Sequence, residues 1–380
     1  MSLFVVVAGS LFAITAVPYL AFLGLHAWLQ PSGSPANKQE WEPPVSVILP
    51  TYNEETIIRM KIDDLLGIDY PMEKIELVVI DSSTDNTRKI IREYFANIDD
   101  PDLVLLEEDD RSGVASAINR AMEAVSSEIV FRTDCDSKLG SDVLREAVAN
   151  LSDERVGAVT GQQTDVLGES QVEQDYRDII ARIQTLESHL DSTFICHGPC
   201  FAFRQSSFQA IKSDSLADDS EIGVNVRRGG GRVVMDPSLR FVESGVSGFS
   251  QRRTRKDRRA MGLVQLLVRN RDILGGFGQY GQIVLPFNWW FMIVSPWLSV
   301  LTAVAATAAA VSLLDIAGIV VLLALVAFFW LGQRDTLGPV QPLYAVVDSQ
   351  VSLLIAQLRL VMSDATGIWD VDRESRKVFK

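Results

Sequence analysis

Cysteine and histidine are scarce in this sequence, with 3 of each among 380 residues. Three thiols are too few for a disulfide framework, and reduced thiols facing the cytoplasm are the expected state. Cys196 and Cys200 bracket His197, a spacing that suggests zinc, but no second Cys/His pair exists to complete four ligands. Basic charge is also short: 35 Lys and Arg face 49 Asp and Glu, a net charge of −14. That balance argues against a nucleic-acid partner and suits a high-salt setting. Charge is missing altogether from residues 3–25, and from 283–332 apart from Asp315. About 20 uncharged apolar residues suffice to cross a bilayer. The first run has no basic leader and its apolar core is too long for a cleaved signal peptide, so it reads as a retained anchor. The spans hold almost no ionisable residues, which argues against a transporter.

What is present divides the chain into segments. Residues 1–27 are an N-terminal transmembrane anchor, with Trp28 at the interface. Residues 28–44 are a linker rich in Pro, Gly and Ser, and 45–260 form a soluble domain. Residues 261–283 are expected to lie along the membrane, and 284–332 to make two transmembrane helices joined by a turn near Asp315. Residues 333–380 hold an amphipathic interfacial helix at 341–362, carrying Asp348, Gln350, Gln357 and Arg359, and a charged tail. The basic run 251–259 precedes the second apolar stretch, so the positive-inside rule places the soluble domain and the tail in the cytoplasm of a multi-pass cell-membrane protein.

Within the soluble domain, strands at 45–49, 75–80, 103–106 and 129–131 alternate with helical segments at 56–66, 87–96 and 113–125. This alternation predicts an α/β fold with a mainly parallel sheet. Three of these strands run into carboxylates: Glu54, Asp81 and Asp134. Each alone is explained by helix capping. Together they point to a ligand site at the carboxyl edge of the sheet. Asp134 and Asp136, spaced i, i+2 after the apolar strand Ile129-Val130-Phe131-Arg132, suit a hard divalent cation, Mg²⁺ or Mn²⁺, shared with substrate phosphates. Further on, 141–150 and 172–190 read as helices, 193–203 as a mixed apolar stretch, and the acidic cluster 216–221 opens a helix that Gly229-Gly230-Gly231 ends. Residues 232–235 read as a strand.

These motifs resemble those of family-2 glycosyltransferases. Val47-Ile48-Leu49-Pro50-Thr51-Tyr52-Asn53-Glu54 looks like their opening strand, and Val79-Ile80-Asp81-Ser82-Ser83-Thr84-Asp85-Asn86-Thr87 is similar to their second signature. Arg111-Ser112-Gly113 with Ala117-Ile118-Asn119 resembles the third, and Asp134-Cys135-Asp136 matches the Asp-x-Asp. Asp218-Asp219, followed by Arg227-Arg228-Gly229-Gly230-Gly231, resembles the Glu-Asp element. The resemblance covers roughly residues 45–260. It implies a Rossmann-like GT-A catalytic domain, a nucleotide-sugar donor, a divalent metal and inversion at the anomeric carbon. Carried onto this chain, Pro50, Tyr52, Glu54 and Asp81 line the nucleoside pocket, and Arg111 sits near the base or diphosphate. Asp134 contacts the ribose or sugar and joins Asp136 at the metal. Asp219, with Asp218 beside it, is the catalytic base.

Departures carry information too. Ile80 and Ser82 replace an Asp and a Gly of the second signature, and Asp218 stands where Glu is usual. The Gln-x-x-Arg-Trp of processive synthases is not matched after Gln251, which argues against polymer synthesis. One of Arg252, Arg253 or Arg255 is left to bind the diphosphate, with Arg252 and Arg255 the candidates. His197 falls in the acceptor-side loop, where a histidine is more often structural. The implied activity is transfer of a sugar to a lipid-linked acceptor (a polyprenyl or dolichyl phosphate or a glycolipid) among the membrane lipids. A processive polysaccharide synthase and a catalytically degenerate membrane scaffold are the alternatives.

Overall fold

A computed structural model describes residues 3–167, 171–244, 249–313, 315–334 and 336–362. The charged tail assigned to the cytoplasm therefore lies outside the described residues. Helix α1 (Leu3–Leu29) leads to a domain built on one 8-stranded sheet. Its strands are β1 (Val45–Thr51), β2 (Ile75–Asp81), β3 (Asp102–Glu107), β4 (Ile129–Arg132), β5 (Ser137–Leu139), β6 (Val156–Leu167), β7 (Phe201–Arg204) and β8 (Arg232–Ser244), in the order β3-β2-β1-β4-β7-β6-β8-β5. The helices are α2 (Ile58–Leu66), α3 (Thr87–Phe95), α4 (Val114–Ala124), α5 (Val143–Leu151), α6 (Gln171–Leu190), α7 (Asp218–Arg228) and α8 (Phe249–Arg269).

Strand periodicity sorts β1 between two cores. Val45, Val47 and Leu49 face Ile58, Ile62 and Leu144. Ile48 faces the other way, with Ile118 and Ala121 of α4 and Ile222 of α7. Burial on both faces explains why the first strands read as nearly unbroken apolar runs. Ladders β1–β2, β2–β3 and β1–β4 are parallel, as expected, and so is β6–β8. Strand β7 runs antiparallel to β4 and β6, and β5 antiparallel to β8.

Register sets the site. Thr51 lies opposite Asp81, and Ile48 opposite Arg132, so β1, β2 and β4 end at one edge. Phe201 opposite Arg132 brings the loop before β7 to that edge. Ser137 opposite Glu243 brings the far end of β8 beside Asp136.

Three helices are long and apolar enough to cross a membrane: Leu3–Leu29, Tyr280–Ser312 and Gly338–Met362. Helix α9 (Leu285–Trp289) lies between π-helical turns at Tyr280–Val284 and Trp290–Val294, and α10 (Ser295–Leu313) follows. The apolar helix α11 (Asp315–Gly332) and then α12 (Gln341–Met362) complete the described chain. Three boundaries differ from the sequence reading. Helix α8 runs through position 260, so the basic run and residues 261–269 are one rigid element. The second membrane-length helix begins at Tyr280, inside the expected interfacial segment. The third is α12, read above as interfacial because of its polar residues. Asp348, Gln350 and Ser352 are buried against the rest of the protein, so they do not mark a water-facing stripe.

Candidate active site

The loop after β1 is tied to the loop after β2. Asn53 adopts a left-handed φ of 55°, tolerated by Asn because its short amide bonds locally. Its N–H donates to Ser83 Oγ at 2.8 Å, and its Oδ1 accepts from Thr84 N at 2.9 Å. Asp81 is fully buried. It accepts from Ser83 N (2.9 Å), Ser83 Oγ (2.7 Å), Thr51 Oγ1 (2.5 Å) and Arg88 Nε (2.7 Å). Those bonds fill about the four acceptor positions a carboxylate offers, so Asp81 braces both loops. Glu54 is also buried, and its N–H donates to Thr87 Oγ1 at 2.9 Å. Half-buried Pro50 presents its carbonyl to Cys135 Sγ. Tyr52 and Arg111, distant in sequence, meet with the guanidinium 4.0 Å from the ring centroid. A flat aromatic with a cation above it forms one wall for a planar, electron-rich base.

The second group of charges surrounds Arg132, the last residue of β4. Its side chain is only 6% exposed. Nη2 lies 2.9 Å from Asp218 Oδ2 and 3.4 Å from Asp134 Oδ1, and Nη1 is 4.0 Å from Asp219 Oδ2. Burial raises the Asp134 and Asp218 carboxyls above their usual range, against the pull of Arg132, and neighbouring carboxylates push the same way. Asp218 and Asp219 occupy the first turn of α7, whose N-cap is Ala217, so neither is the capping residue. The helix dipole favours both there. Asp219 Oδ2 accepts Gly198 N at 2.8 Å and Oδ1 accepts Ser220 N at 2.6 Å, which fixes the carboxylate's direction.

Helix α8 supplies the cations. Arg255 Nη2 is 3.3 Å from Asp136 Oδ2. Arg259 holds Glu243 with contacts of 2.8 and 3.1 Å. Burial would raise the Glu243 carboxyl, but Arg259 and Arg255 outweigh it and hold it low. Burial beside Arg259 and Arg255 lowers Arg258, with Asp136 and Asp134 opposing. The other side of α8 does different work. Arg253 and Lys256 pair with Asp348 of α12 at 2.7 and 3.2 Å. The side chain of Arg252, one of the two diphosphate candidates, lies outside the described residues; Arg255 is at the cleft. Sequence reading did not assign Arg132, Glu243, Arg258 or Arg259. An arginine closing a buried strand, and arginines at i+3 and i+4 from Arg255, were the available signals.

His197 lies in the loop before β7, with Nε2 3.2 Å from the Gln184 amide and its ring near Phe241. Burial pushes it down to about 4, with Arg259 adding to the effect, so it is neutral at pH 7. Cys196 and Cys200 are buried thiols in different core clusters, and burial pushes both upward.

The residues fit a hard cation. Asp134 and Asp136 offer carboxylate oxygens, and crowded carboxyls are relieved by a positive ion. Among the described residues no group of three or more His, Cys, Asp or Glu side chains is arranged to hold a metal alone. Substrate phosphate and water would complete the shell, the usual arrangement for Mg²⁺.

Residues 46–212 match glycosyl transferase family 2. An N-acetylglucosaminyltransferase of Rhizobium sp. (strain N33) is 26% identical over 219 residues, covering 54% of this chain and 47% of the relative. A poly-beta-1,6-N-acetyl-D-glucosamine synthase of Staphylococcus epidermidis is 26% identical over 184 residues, covering 46% and 43%. The chain thus spans under half the length of these curated relatives. The solved structure of the mannosyltransferase PcManGT from Pyrobaculum calidifontis, in complex with GDP-Man and Mn2+, is 28% identical. It superposes with a TM-score of 0.78 over 94% of this chain and 99% of that one. Residues 46–212 are therefore a glycosyl transferase family 2 domain, on a mixed α/β sheet of GT-A type flanked by helices of membrane-spanning length.

Proposed function

We propose that this protein is a membrane-anchored, metal-dependent inverting glycosyltransferase. It takes a sugar from a nucleotide-sugar donor and places it on a lipid-linked acceptor at the cytoplasmic membrane face. The observation that carries this reading is the charge cluster at the carboxyl edge of β1, β2 and β4, where Asp134, Asp218 and Asp219 gather around Arg132 and Asp136 pairs with Arg255 of α8. The similarity to a mannosyltransferase solved with GDP-Man and Mn2+ supports a sugar nucleotide and a divalent cation.

Tyr52 and Arg111 would hold the base by its face, while the Asp81 brace keeps their loop in place. Asp134 and Asp136 would hold Mg²⁺ or Mn²⁺, which when bound supplies positive charge to the donor diphosphate. Arg255 and Arg258 face the same region and add fixed positive charge where the leaving group develops its negative charge. Asp219, aimed by Gly198 N and Ser220 N, accepts the acceptor hydroxyl's proton on the face opposite the leaving group. An acceptor phosphate is already ionised, and Asp219 then orients it instead.

The test is a donor panel including GDP-mannose and UDP-N-acetylglucosamine, with Mn²⁺ or Mg²⁺ and with or without polyprenyl phosphate. Nucleoside diphosphate release that needs both cation and lipid is expected. Release from no donor overturns the reading. The match to a polysaccharide synthase supports a second reading, processive synthesis. Product sizing decides: one sugar per lipid excludes it.

A further inference from the structure

Arg132 is an expensive residue to place where it is. Its side chain is 6% exposed, and Nε and Nη1 find no hydrogen-bond partner. Buried donors left unpaired cost free energy, and a buried ion pair is often no more stabilising than apolar side chains of similar size. The strand it closes is otherwise Ile129, Val130 and Phe131, all fully buried. Packing alone would be served by another aliphatic residue.

Its neighbours suggest what the charge is for. Asp134 belongs to the donor side of the cleft, on the chain leaving β4. Asp218 and Asp219 belong to the acceptor side, at the start of α7. Arg132 touches both sides. Repulsion among three carboxylates would otherwise drive the sides apart. A second feature is built around the same group. Gly198, whose N–H aims Asp219, packs against the guanidinium so closely that any Cβ there would collide with Arg132 Nη1.

We propose that Arg132 is a positioning residue that fixes the acceptor-side pair Asp218–Asp219 against the donor-side Asp134, so that the sugar passes to the acceptor rather than to water. The proposal rests on the glycosyl-transfer reading above. In the coupled reaction, the bond from the anomeric carbon to the diphosphate oxygen breaks and its electron pair leaves with the diphosphate. A bond from the acceptor oxygen forms on the opposite face; a hydroxyl acceptor gives its proton to Asp219, whereas an ionised acceptor phosphate has no proton to lose and is oriented by that carboxylate. Water in the acceptor's place gives free sugar and the same nucleoside diphosphate. An Asp219 carboxylate displaced by about 1 Å from the acceptor, whether it serves as base or as orienting group, can cost 10²-fold in transfer. Small, mobile water tolerates the displacement far better.

The experiment uses the full chain in lipid nanodiscs with GDP-mannose or UDP-N-acetylglucosamine, Mn²⁺, and polyprenyl phosphate as the acceptor probe. Released nucleoside diphosphate and lipid-linked sugar are measured together, giving the hydrolysed fraction. In Arg132→Gln, transfer is expected to fall by about 100-fold. Hydrolysis and the donor KM are expected to change by less than roughly 3-fold, so the hydrolysed fraction rises. Arg132→Lys, which keeps a charge without the planar fork, is expected to recover part of the coupling. Gly198→Ala, which pushes the guanidinium aside but leaves it in the chain, is expected to raise the hydrolysed fraction too. It serves as the deciding variant if Arg132→Gln does not fold. Parallel loss of transfer and hydrolysis in Arg132→Gln, a lysine no better than glutamine, or an unchanged fraction in Gly198→Ala overturns the assignment. A wild type that releases no nucleoside diphosphate overturns the glycosyl-transfer reading itself, and this proposal with it.

Discussion

The two parts of the cleft answer their charges differently. At the β1–β2 edge, Asp81 is fully buried, and its carboxylate is met by Thr51, Ser83 and Arg88. At the β4–α7 edge, Asp134 and Asp218 are held above the usual carboxylate range, and Arg132 keeps unpaired N–H groups. Satisfied polar groups stabilise a fold and make a rigid platform. Frustrated ones cluster where a ligand or a reaction will complete them. The first edge is therefore read as the frame for the nucleoside, and the second as the place where bonds change.

Substitutions can break that contrast. Asp219→Asn or Asp136→Ala is expected to lower nucleoside diphosphate release by about 10³-fold, with little change in melting temperature. Equal loss of stability would erase the distinction between the edges. Asp81→Asn is expected to do the reverse, costing on the order of 3 kcal/mol of stability because it leaves Arg88 paired with no buried charge. Thermal unfolding in detergent measures it, and an unchanged melting temperature would show that Asp81 is not a brace.

Glu187 of α6 supplies a pH-dependent test away from both edges. It is buried, pushed up to about 7 by desolvation, and bonded by Asn288 Nδ2, Phe194 N and Thr193 Oγ1. A carboxyl raised in the folded state binds its proton more tightly there than when unfolded. Its stabilisation is therefore present below the unfolded value and is lost as pH rises through about 7. Stability should fall between roughly pH 4.5 and 7 by about 3 kcal/mol, and Glu187→Gln should flatten that slope. A slope that survives the substitution would assign it to other groups. The smallest effect is expected from Tyr52→Ala or Arg111→Ala, a rise of about 10-fold in donor KM with kcat nearly unchanged. A loss confined to kcat would move this pair out of the nucleoside pocket.

Much of the carboxyl edge of β1, β2 and β4 was legible in the sequence. The parallel strands announced themselves as short apolar runs, and Glu54, Asp81 and Asp134 follow them directly. The charges that α7, α8 and β8 bring to that edge were harder. Strand β5 has 3 residues and lacks a periodic signal, yet its pairing with β8 is what carries Glu243 to the cleft. The basic run read as a positive-inside signal. Only its helical conformation separates Arg255, Arg258 and Arg259 from Arg253 and Lys256, because residues three and four apart share a face. The polar residues of helix α12 have a related explanation: Asp348 is polar because it answers Arg253 and Lys256.

The sequence by itself determined the alternating α/β domain, the apolar helices around it and the acidic residues at the strand ends. Those properties depend on local periodicity and on what immediately follows each strand. Tertiary structure alone decided which charges meet. Arg132 finds Asp218 and Asp219, and Arg255 finds Asp136, across long stretches of chain. Strand register and helix docking set such distances, and neither is written in the spacing of residues along a single segment.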